Sequence, residues 1–237
     1  MLARLPHRSF SPDQPEQMDQ PNLDPQDLAQ DLHNLETINR FFGGRHATRL
    51  ISRTIQTDAD PAQSFIDCAC GAGDLSALLA TSHPQGKVIG LDLHPQTLDY
   101  ARQRHHLPNL SWQQGDIKQL PFPDHSMDVV TCQLALHHFS DDDAVLILRE
   151  LLRVSRRWVF VTDLERSSLG YAGVWLLVHL WLRHPMTRHD ALLSVRRSFT
   201  APELRSLAQR AHWPSFQHRS LPWHRQLIYL NKAHHAV

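Results

Sequence analysis

The chain has 237 residues, 24 basic and 24 acidic side chains, a formal net charge of +0 and 41% hydrophobic residues. That length suits one large α/β domain with additions, and the hydrophobic share is ordinary for a globular fold. The balanced charge argues against a nucleic-acid groove, so no nucleic-acid partner is expected.

Residues 1–25 are rich in Pro, Gln and Asp and are expected to form a disordered tail, because so little apolar surface cannot offset chain entropy. Met1 to Asp27 also lacks the apolar core of a secretory signal. Residues 26–237 read as one domain, opening with N-terminal helices over 26–60. Leu28, Leu32, Leu35, Ile38 and Phe42 recur at helical spacing, Gly43-Gly44 breaks that helix, and Arg49 to Ile55 begins another. Strand and helix then alternate. Strands are expected at Phe65 to Asp67, Val88 to Asp92, Leu110 to Gln113, Met127 to Gln133 and Trp158 to Thr162. A helix starts near Asp74, another follows Pro95, and a third is capped by Ser140, with Asp141, Asp142 and Asp143 against its dipole. Such βαβ alternation predicts a doubly wound, mostly parallel sheet. Leu169 to Leu182 reads as an inserted helix within a lid or substrate insertion over 164–199. It is too short for the ~20 residues that span a bilayer. Thr200 and Glu203 form a capping box for a last helix, and Ser215 to Leu221 with Arg225 to Leu230 suggest a closing antiparallel pair.

The chemistry concentrates in Asp67-Cys68-Ala69-Cys70-Gly71-Ala72-Gly73-Asp74 and Gly90-Leu91-Asp92. A strand running into small residues and glycine, with an acid ending the next strand, is how an α/β sheet holds an adenosine-containing cofactor. Glycine lets the backbone approach the ligand, and the acid accepts from the ribose hydroxyls. A dinucleotide fingerprint would need a third glycine at position 76, where Ser76 stands. Cys68, Cys70 and Cys132 fall in core elements without the pattern of a disulfide framework or a second zinc-ligand pair. They read as buried thiols of a reducing, cytoplasmic protein, and no metal is expected.

Together with Gly115-Asp116-Ile117-Lys118-Gln119-Leu120-Pro121, Leu134-Ala135-Leu136-His137-His138-Phe139 and Leu148-Arg149-Glu150-Leu151-Leu152-Arg153-Val154, these motifs resemble class I S-adenosylmethionine-dependent methyltransferases. The likeness is to the ubiquinone/menaquinone-biosynthesis type and covers roughly Phe65 to Asp163. Three further stretches, Ile38 to Gly44, Arg188 to Asp190 and Ser194 to Phe199, resemble methyltransferases associated with type III polyketide synthases.

The resemblance implies a Rossmann-like fold and S-adenosylmethionine as cofactor. It puts Gly71 and Gly73 in backbone contact with the methionine portion, and Asp67 orienting that loop near the cofactor amine. Asp92 falls on the ribose diol, with Leu93 beside it. Asp116 falls on the adenine amino group with Ile117 against the ring, and Gln133 and Leu134 border the methionine end. Ala69 stands where the family usually has glycine, which Ala permits if φ is negative. Asp67 and Asp92 also suit simple turn or helix caps, and Asp116 a solvated turn acid.

His137-His138 follows the fourth strand at the ligand-binding edge, where an imidazole could take a phenol proton. His138 is the first candidate base, His137 its neighbour, and His189 in the insertion a further one. Packing or helix capping is the alternative in a chain with 18 histidines. Arg196-Arg197 suits a solvated charged loop equally well. Trp175 and Trp181 in the apolar insertion suggest either a buried helix or a lid over an acceptor pocket, with transient membrane-surface contact from its outer face. The resulting expectation is methyl transfer to a small hydrophobic, phenolic or quinone-like acceptor at oxygen. The alternative is a non-catalytic S-adenosylmethionine-binding regulatory or structural subunit.

Overall fold

The computed structural model describes residues 7–20, 23–58, 61–181 and 184–232. Its strands are β1 (Ser64–Cys68), β2 (Lys87–Asp92), β3 (Leu110–Gln114), β4 (Met127–Gln133), β5 (Ser155–Leu164), β6 (Gln217–Leu221) and β7 (Arg225–Asn231). They form one sheet in the order β3-β2-β1-β4-β5-β7-β6. β1 to β5 run parallel, and β7 lies antiparallel between β5 and β6. The chain order reverses between β1 and β4, and that switch point opens a crevice at the carboxyl edge of the strands.

The helices are α1 (Pro25–Phe41), α2 (Gly44–Ile55), α3 (Asp74–Ser82), α4 (Pro95–Arg104), α5 (Asp141–Val154), α6 (Ser168–Leu180), α7 (Pro185–Arg197) and α8 (Ala201–Arg210). Successive strand residues feed opposite faces of the sheet. Ile66, Val130, Val159 and Val161 join a core with α5 and α8, while Phe65, Val129, Trp158 and Phe160 join a second core with α2 and α3. This is period-two alternation with both faces covered, which gives near-continuous apolar strands. Each wholly buried aliphatic contributes roughly 1.5–3 kcal/mol relative to exposure. Ser140 Oγ accepts from the Asp143 N–H at 3.1 Å and Thr200 N–H donates to Glu203 Oε2 at 2.8 Å, so both caps form as the sequence suggests. Helix α5 passes straight into β5 at Ser155.

Two expectations are corrected. The tail is not loose where it is described: residues 7–20 form a strap across the domain. Ser9 N–H donates to Arg196 O at 3.1 Å, and the Gln17 and Met18 N–H groups donate to the Asp190 carboxylate at 2.9 and 3.0 Å. Arg197 donates to the carbonyls of Gln14 and Ser11. Composition counts apolar burial, whereas this segment is held through polar groups supplied far along the chain. Residues 1–6, 21 and 22 of the expected tail lie outside the described residues. Second, Arg196-Arg197 ends helix α7 rather than forming a solvated loop, with Met186, Asp190, Val195 and Arg197 buried and only Arg196 of the arginine pair exposed. Helix α6 ends at Leu180, and Leu182 lies outside the described residues. No helix among the described residues is long and apolar enough to cross a membrane.

Gly90 on β2 faces Trp112 on β3. A Cβ there would lie 2.5 Å from two Trp112 ring atoms and 3.1 Å from Cys70 Sγ. Gly90→Ala should therefore lower the unfolding free energy in a urea titration by about 1–3 kcal/mol, the usual cost of overpacking. Adding Trp112→Leu should recover most of that loss. Equal midpoints for Gly90→Ala and wild type would show instead that the ring moves aside freely.

Candidate active site

A cavity of about 490 Å³ lies at the carboxyl edge of the sheet. Its floor is the loop after β1 together with the ends of β2, β3 and β4, and it is roofed by α1, α6, α7 and the strap. Ala69, Gly71, Asp92, Leu93, Asp116, Ile117, Gln133, His137 and His138 all line it. Three other expected residues do not.

The first is Asp67, which is wholly enclosed. Its Oδ2 accepts from Ser76 Oγ at 2.6 Å, and its Oδ1 accepts from Thr131 Oγ1 at 2.7 Å and Gln133 Nε2 at 3.4 Å. Burial pushes its carboxyl above the ordinary range, with the three donors pulling the other way. Asp67 thus ties β1 to α3 and β4 from behind the loop, without reaching the cavity. The second is Gly73, whose φ is +76° and whose Cβ would fall 2.1 Å from the Trp112 ring. Its lack of a side chain serves packing against Trp112 rather than ligand contact. The third is His189, whose Nδ1 lies 2.7 Å from Asp190 Oδ1 on α7 and whose ring does not face the cavity.

At the loop itself, Ala69 has φ +55°, not the negative value its side chain prefers. The turn is pinned by Cys70 N–H donating to Leu91 O at 2.9 Å and Gly73 N–H to Cys70 O at 3.0 Å. Such a left-handed alanine costs roughly 1–2 kcal/mol. Gly71, at φ +54°, has nothing within 4 Å in the direction of a Cβ, so its backbone is open to the cavity. Asp92 Oδ2 accepts the Gly71 N–H at 2.9 Å and Oδ1 accepts the His94 N–H at 3.0 Å. The acid at the end of β2 therefore couples the loop to its own strand and still presents lone pairs to a ligand. Asp116 Oδ1 closes its own turn on the Lys118 N–H at 2.8 Å while facing the cavity. The three thiols are buried and free, and burial pushes each well above its usual pKa.

The histidine pair is held by carboxylates. His137 N–H donates to Asp163 Oδ2 at 2.9 Å, and its Nδ1 lies 2.6 Å from Asp163 Oδ1. Asp163 can only accept, so Nδ1 carries the proton and Nε2 is left free. His138 Nδ1 sits 2.7 Å from Asp19 Oδ2 of the strap. Burial alone would lower its pKa, but Glu16, Asp19 and Asp163 outweigh that and push it up to about 10. His138 therefore holds its proton near neutrality, which removes it as the first candidate base in this arrangement.

Further residues at the site were not assigned from sequence. Glu16 and Asp19 lay in the supposed tail. Asp163 ends β5, a place equivalent to Asp92 that the chain order alone does not mark. Asp74, next to the glycine loop, was read only as a helix start. It lines the cavity with Oδ2 lacking a hydrogen-bond partner, and burial raises its pKa to about 7, helped by Glu36 and Asp67 and opposed by Arg45. Arg225 enters the cavity through the register of β7 with β5, which sequence spacing does not reveal. Its Nε donates to Phe42 O at 2.6 Å, its Nη2 donates to Asn39 Oδ1 at 3.3 Å, and its buried Nη1 has no partner.

An open glycine cradle, an acid at the end of β2 and an unpartnered buried carboxylate fit a nucleoside that carries positive charge. Residues 65–157 match the family model described as a methyltransferase domain. The chain is 41% identical over 132 residues to the demethylmenaquinone methyltransferase of Deinococcus radiodurans, a match spanning 54% of each chain. It is 32% identical over 171 residues to the 2-phytyl-1,4-naphtoquinone methyltransferase of Thermosynechococcus vestitus, covering 66% of this chain and 74% of that one. A solved S-adenosylmethionine-dependent methyltransferase from Aquifex aeolicus shares the fold, with a TM-score of 0.63 at 15% identity over 89% of this chain and 99% of that chain. The chain belongs to the class I S-adenosylmethionine-dependent methyltransferases of the ubiquinone/menaquinone-biosynthesis type. It spans about half the length of several curated relatives it matches, 54% for the Deinococcus radiodurans protein and 43% for that of Lactobacillus johnsonii.

Asp74 gives this site a pH signature. Its carboxyl sits at about 7 when folded against an ordinary 3.8, so the folded chain binds the extra proton between those values. Stability then falls as pH rises across that window and levels off above it. Asp74→Asn should remove this loss, so its unfolding free energy should gain on wild type from about pH 4 to about pH 8. Parallel profiles for the two proteins would contradict the assignment.

Proposed function

We propose that this protein transfers the methyl group of S-adenosylmethionine to a small hydrophobic acceptor, phenolic or quinone-like, at oxygen. The observation that carries the reading is one continuous cavity joining the strand-edge loop to the apolar sides of α1 and α6. Leu35 and Ile38 of α1 and Val174 and Leu177 of α6 line its far end. The names of the relatives support a quinone-like acceptor. In this reading Gly71 contacts the methionine portion, Asp92 accepts from the ribose hydroxyls, Asp116 and Ile117 hold the adenine, and Gln133 and Leu134 border the methionine end. Asp74 is added to the groups facing the cofactor's positive charge.

The donor is already reactive, so the chain's work is to align acceptor and methyl, exclude water and handle one proton. His137 suits that last task better than His138, because its Nδ1–H is committed to Asp163 and its Nε2 can accept. Helices α6 and α7 act as the lid. The walls of the pocket are Val174 and Leu177, however, and not the tryptophans. Trp175 stacks on His179 with ring centroids 4.3 Å apart, and Trp181 is 78% exposed. Leu169, Leu176, Leu180 and Trp181 point outward, and a cytoplasmic enzyme could use that face for transient contact with a lipid surface when it takes up an acceptor.

Incubation with methyl-labelled cofactor and a panel of phenols, naphthols and reduced quinones should label at least one hydrophobic acceptor at oxygen. Leu177→Ala should raise the KM for that acceptor about 5- to 30-fold, the worth of the apolar contact removed, and leave cofactor Kd unchanged. Saturable cofactor binding with no label on any member of the panel would point instead to a binding protein that does not turn the cofactor over.

A further inference from the structure

The strap brings a third group to the histidine pair. Glu16 is 2% exposed, and its carboxylate lies between the two rings: Oε1 is 3.8 Å from His137 Nε2, and Oε2 is 3.8 Å from His138 Nε2. Both separations are too long for hydrogen bonds. One potential ligand atom from each of Glu16, His137 and His138 falls within 4.8 Å of the others.

The orientation of these rings has a physical cause. Each histidine gives its Nδ1 edge to a carboxylate, His137 to Asp163 and His138 to Asp19, at 2.6 and 2.7 Å. That leaves each Nε2 edge 3.8 Å from an oxygen of Glu16. It is the outer-shell arrangement that metal-binding histidines use, in which a carboxylate on one nitrogen sets the tautomer and raises the basicity of the other. Glu16 is held in turn. Ser194 Oγ donates to its Oε1 at 2.8 Å, and Asp190 anchors the strap through the N–H groups of Gln17 and Met18. The ring centroids are 4.4 Å apart, close enough for one ion to reach both.

We propose that Glu16, His137 and His138 form a binding site for a divalent first-row transition ion of the zinc, cobalt or manganese kind, which closes the strap over the acceptor end of the cavity. Two imidazoles and one carboxylate are a donor set suited to such ions and leave coordination positions open. Ligands about 2.05 Å from a tetrahedral ion lie about 3.3 Å apart. One donor atom from each residue already falls within 4.8 Å of the others, so an ion would draw the three together by up to about 1.5 Å. Charge points the same way. The charge of Asp163 is shared with Arg8 and Arg225, but Glu16 and Asp19 bring two more carboxylates to the imidazoles in a largely enclosed space, and that favours a cation there. The open positions face the cavity that Glu16, Asp19, His137 and His138 line together.

Chain spacing does not mark this site, because Glu16 lies far from the histidine pair and within the stretch expected to be disordered. The site does not rest on the methyl-transfer reading, since its test needs neither acceptor nor cofactor. The metal-free full chain is titrated with cobalt(II), followed by visible absorption, and with zinc, followed by calorimetry. One saturable equivalent per chain is expected, with cobalt bands of a low-symmetry nitrogen–oxygen site. Glu16→Gln and His138→Gln should each weaken binding by at least about 10-fold, and Asp19→Asn, which only loosens the orientation of His138, by about 10-fold. His46→Ala, on the exposed face of α2, should change nothing. Thermal melts without metal check that each variant folds, and Asp19→Asn carries the test if Glu16→Gln does not. The absence of a saturable equivalent would overturn the site. So would unchanged affinity in Glu16→Gln and Asp19→Asn, which would place the ion on surface histidines.

Discussion

A single buried carboxylate sets the geometry of the ligand edge. Asp67, next to last in β1, has no route to solvent, and three donors from three places converge on it: Ser76 on α3, Thr131 inside β4 and Gln133 at the end of β4. Gln133 in turn accepts from Thr48 Oγ1 of α2 at 2.9 Å. Leaving such a group without its partners costs several kcal/mol, so these four elements are locked in one arrangement. The locked elements are the two strands that diverge at the switch point and two of the helices behind them. The crevice between those strands is therefore preformed.

The same device recurs along the edge. Asp92 at the end of β2 accepts from the backbone of the glycine loop, and Asp163 near the end of β5 accepts from His137 and from the Leu164 N–H. In each case an acid at a strand terminus holds the backbone of a neighbouring loop. The loop after β1 can then sit in left-handed conformations at Ala69, Gly71 and Gly73, because neighbouring strands supply the partners that pin it. The far end of the cavity is built differently. Apolar side chains of α1 and α6 line it, and Arg225 contributes a buried cation with one free nitrogen. A polar end shaped for a charged nucleoside thus meets a mostly apolar chamber, and that asymmetry makes transfer to a hydrophobic acceptor the natural reading.

Much of this was legible from the chain. The five parallel strands, the capped helices and the closing antiparallel pair all follow from apolar periodicity punctuated by Gly, Pro, Ser and Asp, and those signals are local. Ten of the expected site residues, Leu134 among them, line the cavity because the motif order fixes which strand ends are adjacent. The failures have a common origin in contacts remote in sequence. Gly73 was given to the ligand because the motif places a glycine there, but the Trp112 ring that demands it is on another strand. His138 looked like a base until the carboxylates of the strap surrounded it. His189 has the right chemistry but sits on a helix that turns it away from the cavity. The strap itself was invisible to a reading based on apolar content, since it is held by Arg197, Asp190 and Ser194, far along the chain.

The most direct measurement is a crystal structure of the full chain grown with S-adenosylhomocysteine. The account expects the ribose hydroxyls on Asp92, the methionine portion over Gly71, and the sulfur directed into the space bounded by Val174 and Leu177. A nucleoside bound away from the ends of β1 and β2, or a sulfur turned from that chamber, would contradict it.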